Sequence, residues 1–320
     1  ALMRWDGQRL KEVSLPAERT RLSVHGMAVG EEGWLWAGGD GLWRLNGRSR
    51  WETLCAADSE ICQIVSLRCQ GDRLWISSDS GLWAHHGGQF QRIRGEKDSV
   101  YAHRSLWLDE SGCIWASTQD GRILRYAGDR VEEIVSLGAT SSCGLLQDRY
   151  GALWMGTYGD GLYRLDVKRL TDRNGNGSGP VRALTEDCQG HLYAATRTGV
   201  QLVGKGGMHP CPGTERIQGN EVRSVYVDRQ DRLWIGLWGG QIFVCQGERT
   251  YQLLAPSFEN SPVQFLEDQG NRLWIGSLFG LDLGYVQDGQ LHTHDKAPYW
   301  VGAMALDKQG RLWVGSSRPG

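Results

Sequence analysis

Short runs in which apolar and polar residues alternate follow one another along the whole chain, and each ends at a polar turn. One stretch shows the order: "VRSVYVD" (222–228) leads into the turn "RQD" (229–231) and then into "RLWIG" (232–236). Short alternation broken by turn residues is typical of β-strands, because strand side chains point alternately to two faces. The pattern therefore predicts an all-β protein, and no stretch has the spacing of an amphipathic helix.

The strand pattern is a repeat. "RLWIG" returns at 272–276, "RLWVG" stands at 311–315 and "ALWMG" at 152–156. The aromatic residue of the "LW" pair recurs about every 40 residues, a period typical of propellers and solenoids. The eight anchors are Trp36, Trp75, Trp115, Trp154, Tyr193, Trp234, Trp274 and Trp313. Four short strands per copy describe a propeller blade. We predict one domain over 1–320, an eight-bladed β-propeller; the alternative is a seven-bladed ring with one copy outside it.

Stacking explains why the copies are so alike. A single blade cannot bury both of its faces, whereas a ring of blades buries them and leaves no long free edge. The "LW" aromatic is expected to pack between adjacent blades. A small residue two positions after each aromatic indicates close blade packing; these are Gly38, Ser77, Ser117, Gly156, Ala195, Gly236, Gly276 and Gly315.

The two ends of the repeat complement each other. The last copy, "GRLWVGSSRPG" (310–320), lacks outer strands, and "ALMRWDGQRLKEV" (1–13) has no inner strands before it. Joined, they restore one blade. The sequence thus predicts that both segments share the eighth blade and close the ring.

Composition excludes few functions. The net charge of −2 gives no electrostatic reason to expect nucleic acid or an anionic membrane surface as a partner. No apolar stretch approaches the ~20 residues of a membrane span, and the first residues do not resemble a signal peptide. The eight Cys fit no metal-binding pattern. Cys55 and Cys62 are close enough in sequence to bridge a loop, but free, mostly buried thiols are the favoured interpretation.

The repeat pattern V-x-x-L-x-x-D-x-x-G-x-L-W-I-G-T/S-x-x-G-L resembles the two-component regulator propeller family. The copies that carry the resemblance best are "VRALTEDCQGHLYAATRTGV" (181–200), "VYVDRQDRLWIGLWGG" (225–240) and "FLEDQGNRLWIGSLFGL" (265–281). The resemblance implies a periplasmic sensor module of a bacterial inner-membrane protein. It also implies an attached output domain (histidine kinase, diguanylate cyclase or DNA-binding regulator), a small ligand that is often a glycan fragment, and a homodimer as one arrangement. Many relatives carry two seven-bladed rings, so a single eight-copy ring departs from their plan.

Positions that differ from blade to blade are the candidates for binding. Four residues after the aromatic, where a turn is expected at one mouth of the central channel, the copies carry Asp40, Asp79, Gln119, Tyr158, Arg197, Trp238, Leu278 and Ser317. Aromatic rings there are able to stack on a sugar or another ring, next to charged groups. Unconstrained drift of turn residues is the alternative explanation.

A second variable column lies eleven residues before the aromatic and contains His25, Arg104, Cys143, Arg182, Arg223 and Gly302. Three Arg near one mouth favour an anionic ligand through bidentate hydrogen bonds. The alternative is that these side chains pair with carboxylates of neighbouring blades. Trp300 precedes the last inner strand at the same mouth. The predicted ligand-binding residues are Tyr158, Arg197, Trp238, Arg182, Arg223, Arg104, Trp300, Asp40 and Asp79.

No catalytic residue, metal site or cofactor is predicted. "DRNGNG" (172–177) matches half of a calcium loop, but Ala183 stands where the acidic twelfth ligand belongs, so it indicates a turn. Three function classes stay open. The first is a sensor propeller with a small, anionic or glycan-like ligand. The second is a protein-interaction scaffold without a small ligand. The third is a propeller lyase or hydrolase similar to the lyase that opens streptogramins, although no matching His motif is found.

Overall fold

The structure is a computed structural model. It describes residues 2–13, 23–45, 50–55, 59–61, 63–93, 103–109, 111–118, 121–127, 130–136, 142–166, 169–172, 179–204, 206–253, 262–277, 283–293 and 300–317. The one helix in these ranges is the short 3₁₀ turn Glu215–Ile217, so the all-β prediction is confirmed.

The strands form eight antiparallel sheets of four strands each, which we number as blades in chain order. Blade 1 holds β3 to β6, blade 2 holds β7 to β10, blade 3 holds β11 to β14, and blade 4 holds β15 to β18. Their bounds are Val24–Val29, Leu35–Gly39, Leu42–Leu45, Trp51–Cys55; Ile64–Gln70, Arg73–Ser78, Gly81–His86, Gln89–Arg92; His103–Leu108, Ile114–Thr118, Arg122–Ala127, Arg130–Ser136; Ser142–Gln147, Leu153–Thr157, Leu162–Asp166, Arg169–Asp172.

Blades 5 to 7 follow the same order, and blade 8 combines both ends of the chain. Blade 5 holds β19 to β22, blade 6 holds β23 to β26, and blade 7 holds β27 to β30. Blade 8 holds β31, β32, β1 and β2. The bounds are Val181–Glu186, Leu192–Thr196, Gly199–Gly204, Gly207–Pro210; Val222–Val227, Leu233–Leu237, Ile242–Gln246, Arg249–Leu253; Pro262–Glu267, Leu273–Ser277, Leu283–Gln287, Gln290–Thr293; Trp300–Leu306, Leu312–Ser317, Leu2–Trp5, Leu10–Val13.

The blades form a closed ring. The first strand of each blade contacts the first strand of the next, and β31 of blade 8 contacts β3 of blade 1. Within blade 8, β1 pairs with β32 in the register Leu2↔Gly315, Met3↔Val314 and Arg4↔Trp313. Eight blades and closure by a shared blade are therefore confirmed, and the seven-bladed alternative is wrong.

The anchor aromatics lie between blades, as predicted. Six of the eight are buried, and Trp75, Trp234, Trp274 and Trp313 are at most 1% exposed. The small residue two positions later is explained by the next blade: a Cβ on Gly276 would lie 2.7 Å from Cγ1 of Val301. Since real Cβ atoms do not approach that closely, the position accepts only a small residue unless the neighbouring blade moves.

An aspartate fastens each of blades 3 to 8, and it is buried in blades 4 to 8. In blade 7, Asp268 accepts hydrogen bonds from the indole N–H of Trp274 at 2.9 Å and from Nε of Arg272 at 2.7 Å. It also accepts the backbone N–H groups of Gly270 and Arg272 at 2.8 and 3.0 Å. The equivalent aspartates are Asp109, Asp148, Asp187, Asp228 and Asp307. Each ties the turn between the first two strands to the anchor aromatic.

Candidate functional site

Every first strand carries a β-bulge near the same mouth of the channel. The pairing register slips by one residue in all eight blades. The residue skipped by the ladder is His25, Val65, Arg104, Cys143, Arg182, Arg223, Val263 or Gly302. A bulge releases one residue from strand pairing and changes where its side chain points. The second variable column of the sequence is thus the set of bulge residues.

Two cation–π pairs join the predicted columns. The guanidinium of Arg182, in blade 5, lies over the ring of Tyr158, in the turn after the second strand of blade 4, 4.3 Å from its centroid. In blade 6 the guanidinium of Arg223 lies 5.0 Å from the ring centroid of Trp238. Tyr158 and Trp238 are 46% and 49% exposed. Such exposure is unusual for rings of this size, and it makes part of each ring accessible from solvent.

Glu221 connects the two pairs. Its carboxylate accepts a hydrogen bond from Nη2 of Arg182 at 2.9 Å and lies 3.9 Å from Nε of Arg197. Its backbone carbonyl accepts the N–H of Trp238 at 2.9 Å. We call Tyr158, Arg182, Arg197, Glu221, Arg223 and Trp238 the mouth cluster. The sequence reasoning missed Glu221, for which the one available signal was its position two residues before the predicted Arg223.

The members of the mouth cluster differ in accessibility. The side chain of Arg197 is 61% exposed, whereas that of Arg182 is 13% exposed. Nε and Nη1 of Arg182 are buried and have no hydrogen-bond acceptor among the described residues. Arg182 therefore positions Tyr158 and adds positive potential, while Arg197 and the two rings are available for direct contact. Three guanidinium groups against one carboxylate leave the cluster with an excess of two positive charges.

The remaining predicted residues are not part of this cluster. Oδ2 of Asp40 accepts the backbone N–H of Ser23 at 2.7 Å, so this carboxylate holds the chain entering blade 1. Asp79 is exposed in the turn that follows β8. Blades 1 and 2 lie across the ring from blades 5 and 6, so both acids lie on the opposite side of the ring from the mouth cluster. Arg104 and Trp300 lie in β11 and β31, but their side chains are outside the described part of the structure.

A cavity of about 230 Å³ lies in blades 1 and 2, at the end of the ring opposite the mouth cluster. Here the repeat departs from its pattern, because Gly30 and Cys69 occupy the positions that hold an aspartate elsewhere. Arg44 lies over the ring of Trp34, 4.0 Å from its centroid, and donates to Glu52 at 2.8 Å. Arg44 thus contacts both Trp34 and Glu52 within blade 1.

Among the described residues, four of the six cysteine side chains are buried. No group of three or more His, Cys, Asp or Glu side chains there is placed to hold a metal. Cys55 is a buried free thiol, and burial raises its pKa to about 11. Cys62 and residues 173–177 of the "DRNGNG" segment lie outside the described residues. None of the helices in the described part is long and apolar enough to cross a membrane.

The architecture and the site define the class: an eight-bladed repeat propeller with a cationic, aromatic mouth. Residues 216–239 and 296–318 match the family model described as "Two component regulator propeller". These two segments match repeats of this family, so the resemblance seen in the sequence is confirmed.

Solved structures share the fold at low identity. The computationally designed Ika8 protein has a TM-score of 0.71 at 12% identity, over 94% of this chain and 98% of that chain. Virginiamycin B lyase from Staphylococcus aureus has a TM-score of 0.63 at 13% identity, over 96% and 99%. YCF48 bound to D1 peptide has a TM-score of 0.60 at 16% identity, over 99% and 100%. No curated protein is significantly similar to the chain.

Proposed function

We propose that this propeller is an extracytoplasmic sensor domain of a bacterial signal-transduction protein, and that it binds a small, anionic or glycan-like ligand at the mouth cluster. The observation that carries the proposal is the unbroken chain of contacts from Tyr158 through Arg182 and Glu221 to Trp238. It joins residues of three consecutive blades at one mouth, through two side-chain contacts and one backbone hydrogen bond.

The chemistry of the cluster favours this ligand class. Exposed aromatic faces bind the flat, apolar faces of sugars and other rings, and guanidinium groups bind carboxylates through paired hydrogen bonds. Because blades 4 to 6 each supply part of the cluster, a ligand seated there contacts more than one blade. Binding is then able to change how neighbouring blades sit against each other, which is the requirement for a sensor.

Binding is tested by removing the two most accessible side chains separately. In Trp238→Ala and Arg197→Gln, we expect about a tenfold loss of affinity each, equivalent to about 1.4 kcal/mol. A panel of acidic and neutral oligosaccharides and small organic acids is first screened by thermal shift, and hits are measured by calorimetry.

Tyr150→Ala is the matched control. Tyr150 is 75% exposed in a turn at the opposite end of blade 4, so its removal should leave the affinity unchanged. Equal affinities in all three variants would place the ligand elsewhere. Absence of any hit, together with capture of a folded protein domain, would favour the interaction scaffold, and turnover of a panel member would favour a lyase or hydrolase.

The signalling part of the proposal is tested by sequencing the gene on both sides of this segment. We expect one reading frame that encodes a membrane span and a histidine kinase, diguanylate cyclase or transcription regulator. A frame that encodes only a secretion signal and this ring would contradict the sensor assignment and leave a free-standing binding protein or enzyme.

A further inference from the structure

The central channel contains a cavity of about 380 Å³ beneath the mouth. Its lining is supplied by the first strands of blades 1, 2, 5, 6, 7 and 8. The lining begins at the bulge residues His25 and Val65 and reaches Arg68 and Tyr226 further along the strands. Arg68 is three residues beyond the bulge of blade 2, which places it about 10 Å below the mouth at ~3.3 Å per strand residue.

Arg68 is exceptional among the eight copies. It pairs in register with the anchor Trp75. The residues that pair with the other seven anchors are Ala28, Trp107, Leu146, Thr185, Tyr226, Leu266 and Ala305. All seven are uncharged. Within a repeat, a position that is uncharged in seven blades and cationic in one indicates a local role rather than a requirement of the fold.

Few groups of the protein offset the positive charge of the Arg68 guanidinium. Nη1 donates to the backbone carbonyl of Leu67 at 2.8 Å, and no described carboxylate contacts the group. The described residues that line the cavity include no Asp or Glu. Burial lowers the pKa of Arg68, but a guanidinium stays charged in proteins. A partly buried charge without a counter-ion is costly, and an anion in the cavity would offset that cost.

We infer that the channel binds the oxyanion head group, a carboxylate or phosphate, of a small ligand at Arg68. The inference rests on the proposed function in one respect, namely that the ligand enters through the mouth. The excess positive charge of the mouth cluster attracts an anion to the entrance, and Arg68 then binds it with two parallel N–H donors. Ser224 and Gln264 also line the cavity, and Nε2 of Gln264 donates to the backbone carbonyl of Gly302 at 2.9 Å.

The test is the thermal stability of the whole chain titrated with sodium phosphate and, separately, with sodium succinate, against sodium chloride at matched ionic strength. At saturation the wild type should gain about 2–5 °C in Tm. Arg68→Gln should lose this gain, and Arg68→Lys should keep part of it. A gain with only one of the two salts identifies which oxyanion the channel accepts.

A second measurement does not depend on any variant. Phenylglyoxal modification of Arg68 in the wild type, followed by mass spectrometry, should slow several-fold when phosphate or succinate is present. Unchanged modification, or the full Tm gain in Arg68→Gln, would overturn the inference.

The outcomes separate the inference from the proposed function. If Arg223→Gln abolishes the Tm gain and Arg68→Gln keeps it, the anion binds at the mouth alone; the inference is then wrong and the proposed function stands. If Arg68→Gln abolishes the gain while Trp238→Ala and Arg197→Gln bind every panel ligand normally, the inference holds and the mouth is wrongly assigned. A wild type without any anion-dependent gain contradicts the inference directly.

Discussion

Removal of residues 1–13 is expected to abolish cooperative folding of the ring. These residues supply β1 and β2, the outer half of blade 8. Leu2, Met3 and Trp5 are 1%, 2% and 6% exposed. Trp5 packs edge-on against Trp274 of blade 7, with ring centroids 5.3 Å apart, whereas Leu2 packs with Trp313 and the core of blade 1. The deletion therefore uncovers both neighbouring blades.

The expected loss is large compared with the stability of a domain. Burying three side chains of this size contributes about 6–9 kcal/mol in total, and the net stability of a domain is about 5–15 kcal/mol. Circular dichroism during thermal and urea denaturation should show no sharp transition for the truncated chain. A synthetic peptide of residues 1–13 should restore the transition in a concentration-dependent way, because it can pair with β32.

Two point variants in the same segment give stability changes with which the truncation can be compared. Trp5→Ala should destabilise the ring by about 3 kcal/mol. Lys11→Ala removes a largely exposed ion pair with Asp6 in the same segment, at 2.7 Å, and should change stability by less than about 1 kcal/mol. A truncated chain that unfolds at the wild-type midpoint would show that the shared blade does not hold the ring closed.

Replacing Asp268 by Asn is expected to destabilise the protein by about 2–4 kcal/mol. The carboxylate is 2% exposed and accepts four hydrogen bonds, two of them from Arg272. The amide turns one acceptor into a donor facing N–H groups, and it leaves the Arg272 charge without its partner. Urea denaturation at neutral pH measures the change. Asp79→Asn, at an exposed turn, is the control and should be nearly neutral.

The same variant should alter the dependence of stability on pH. Burial alone would raise the pKa of Asp268, but hydrogen bonds from Trp274 and Arg272 outweigh burial and hold it below its usual range. The pKa values of Asp109 and Asp187 are lowered in the same way. A lowered folded-state pKa gives stability that is present above the unfolded value of about 3.9 and is lost as pH falls through the folded value. Acid destabilisation below about pH 4 should therefore be shallower in Asp268→Asn. An unchanged slope would contradict this role.

Much of the fold could be predicted from the sequence because the structural requirements of a blade recur along the eight copies of the repeat. Residue spacing and size were enough to predict the anchor aromatics, the small residues equivalent to Gly276 and the complementary ends of the repeat. The aspartates of blades 3 to 8 were also visible as a column six residues before the anchor, yet the pattern alone indicated only a turn. Their hydrogen bonds to the side chain of the anchor depend on how the turn folds back over it.

The site was less predictable than the fold. The column of His25, Arg182 and Arg223 was found, but its cause, a bulge in every first strand, depends on strand register and cannot be read from residue types. Glu221 escaped notice because its role comes from contacts with Arg182 and Arg197 in the preceding blade. Arg68 escaped notice because it differs from its equivalents only once the anchor pairing is known. The contacts and the strand register that connect different strands and blades could therefore not be predicted from the sequence.

The bulge in every first strand has an evolutionary consequence. A residue released from the ladder can be exchanged by a single codon change without costing the sheet an interstrand hydrogen bond. The ring therefore keeps several exchangeable positions around one opening, while the remaining residues preserve the architecture. Gly302 is constrained, because a Cβ there would lie 2.7 Å from the backbone oxygen of Val24. A lineage of such rings is able to acquire a new specificity blade by blade, with no intermediate that must first lose its fold.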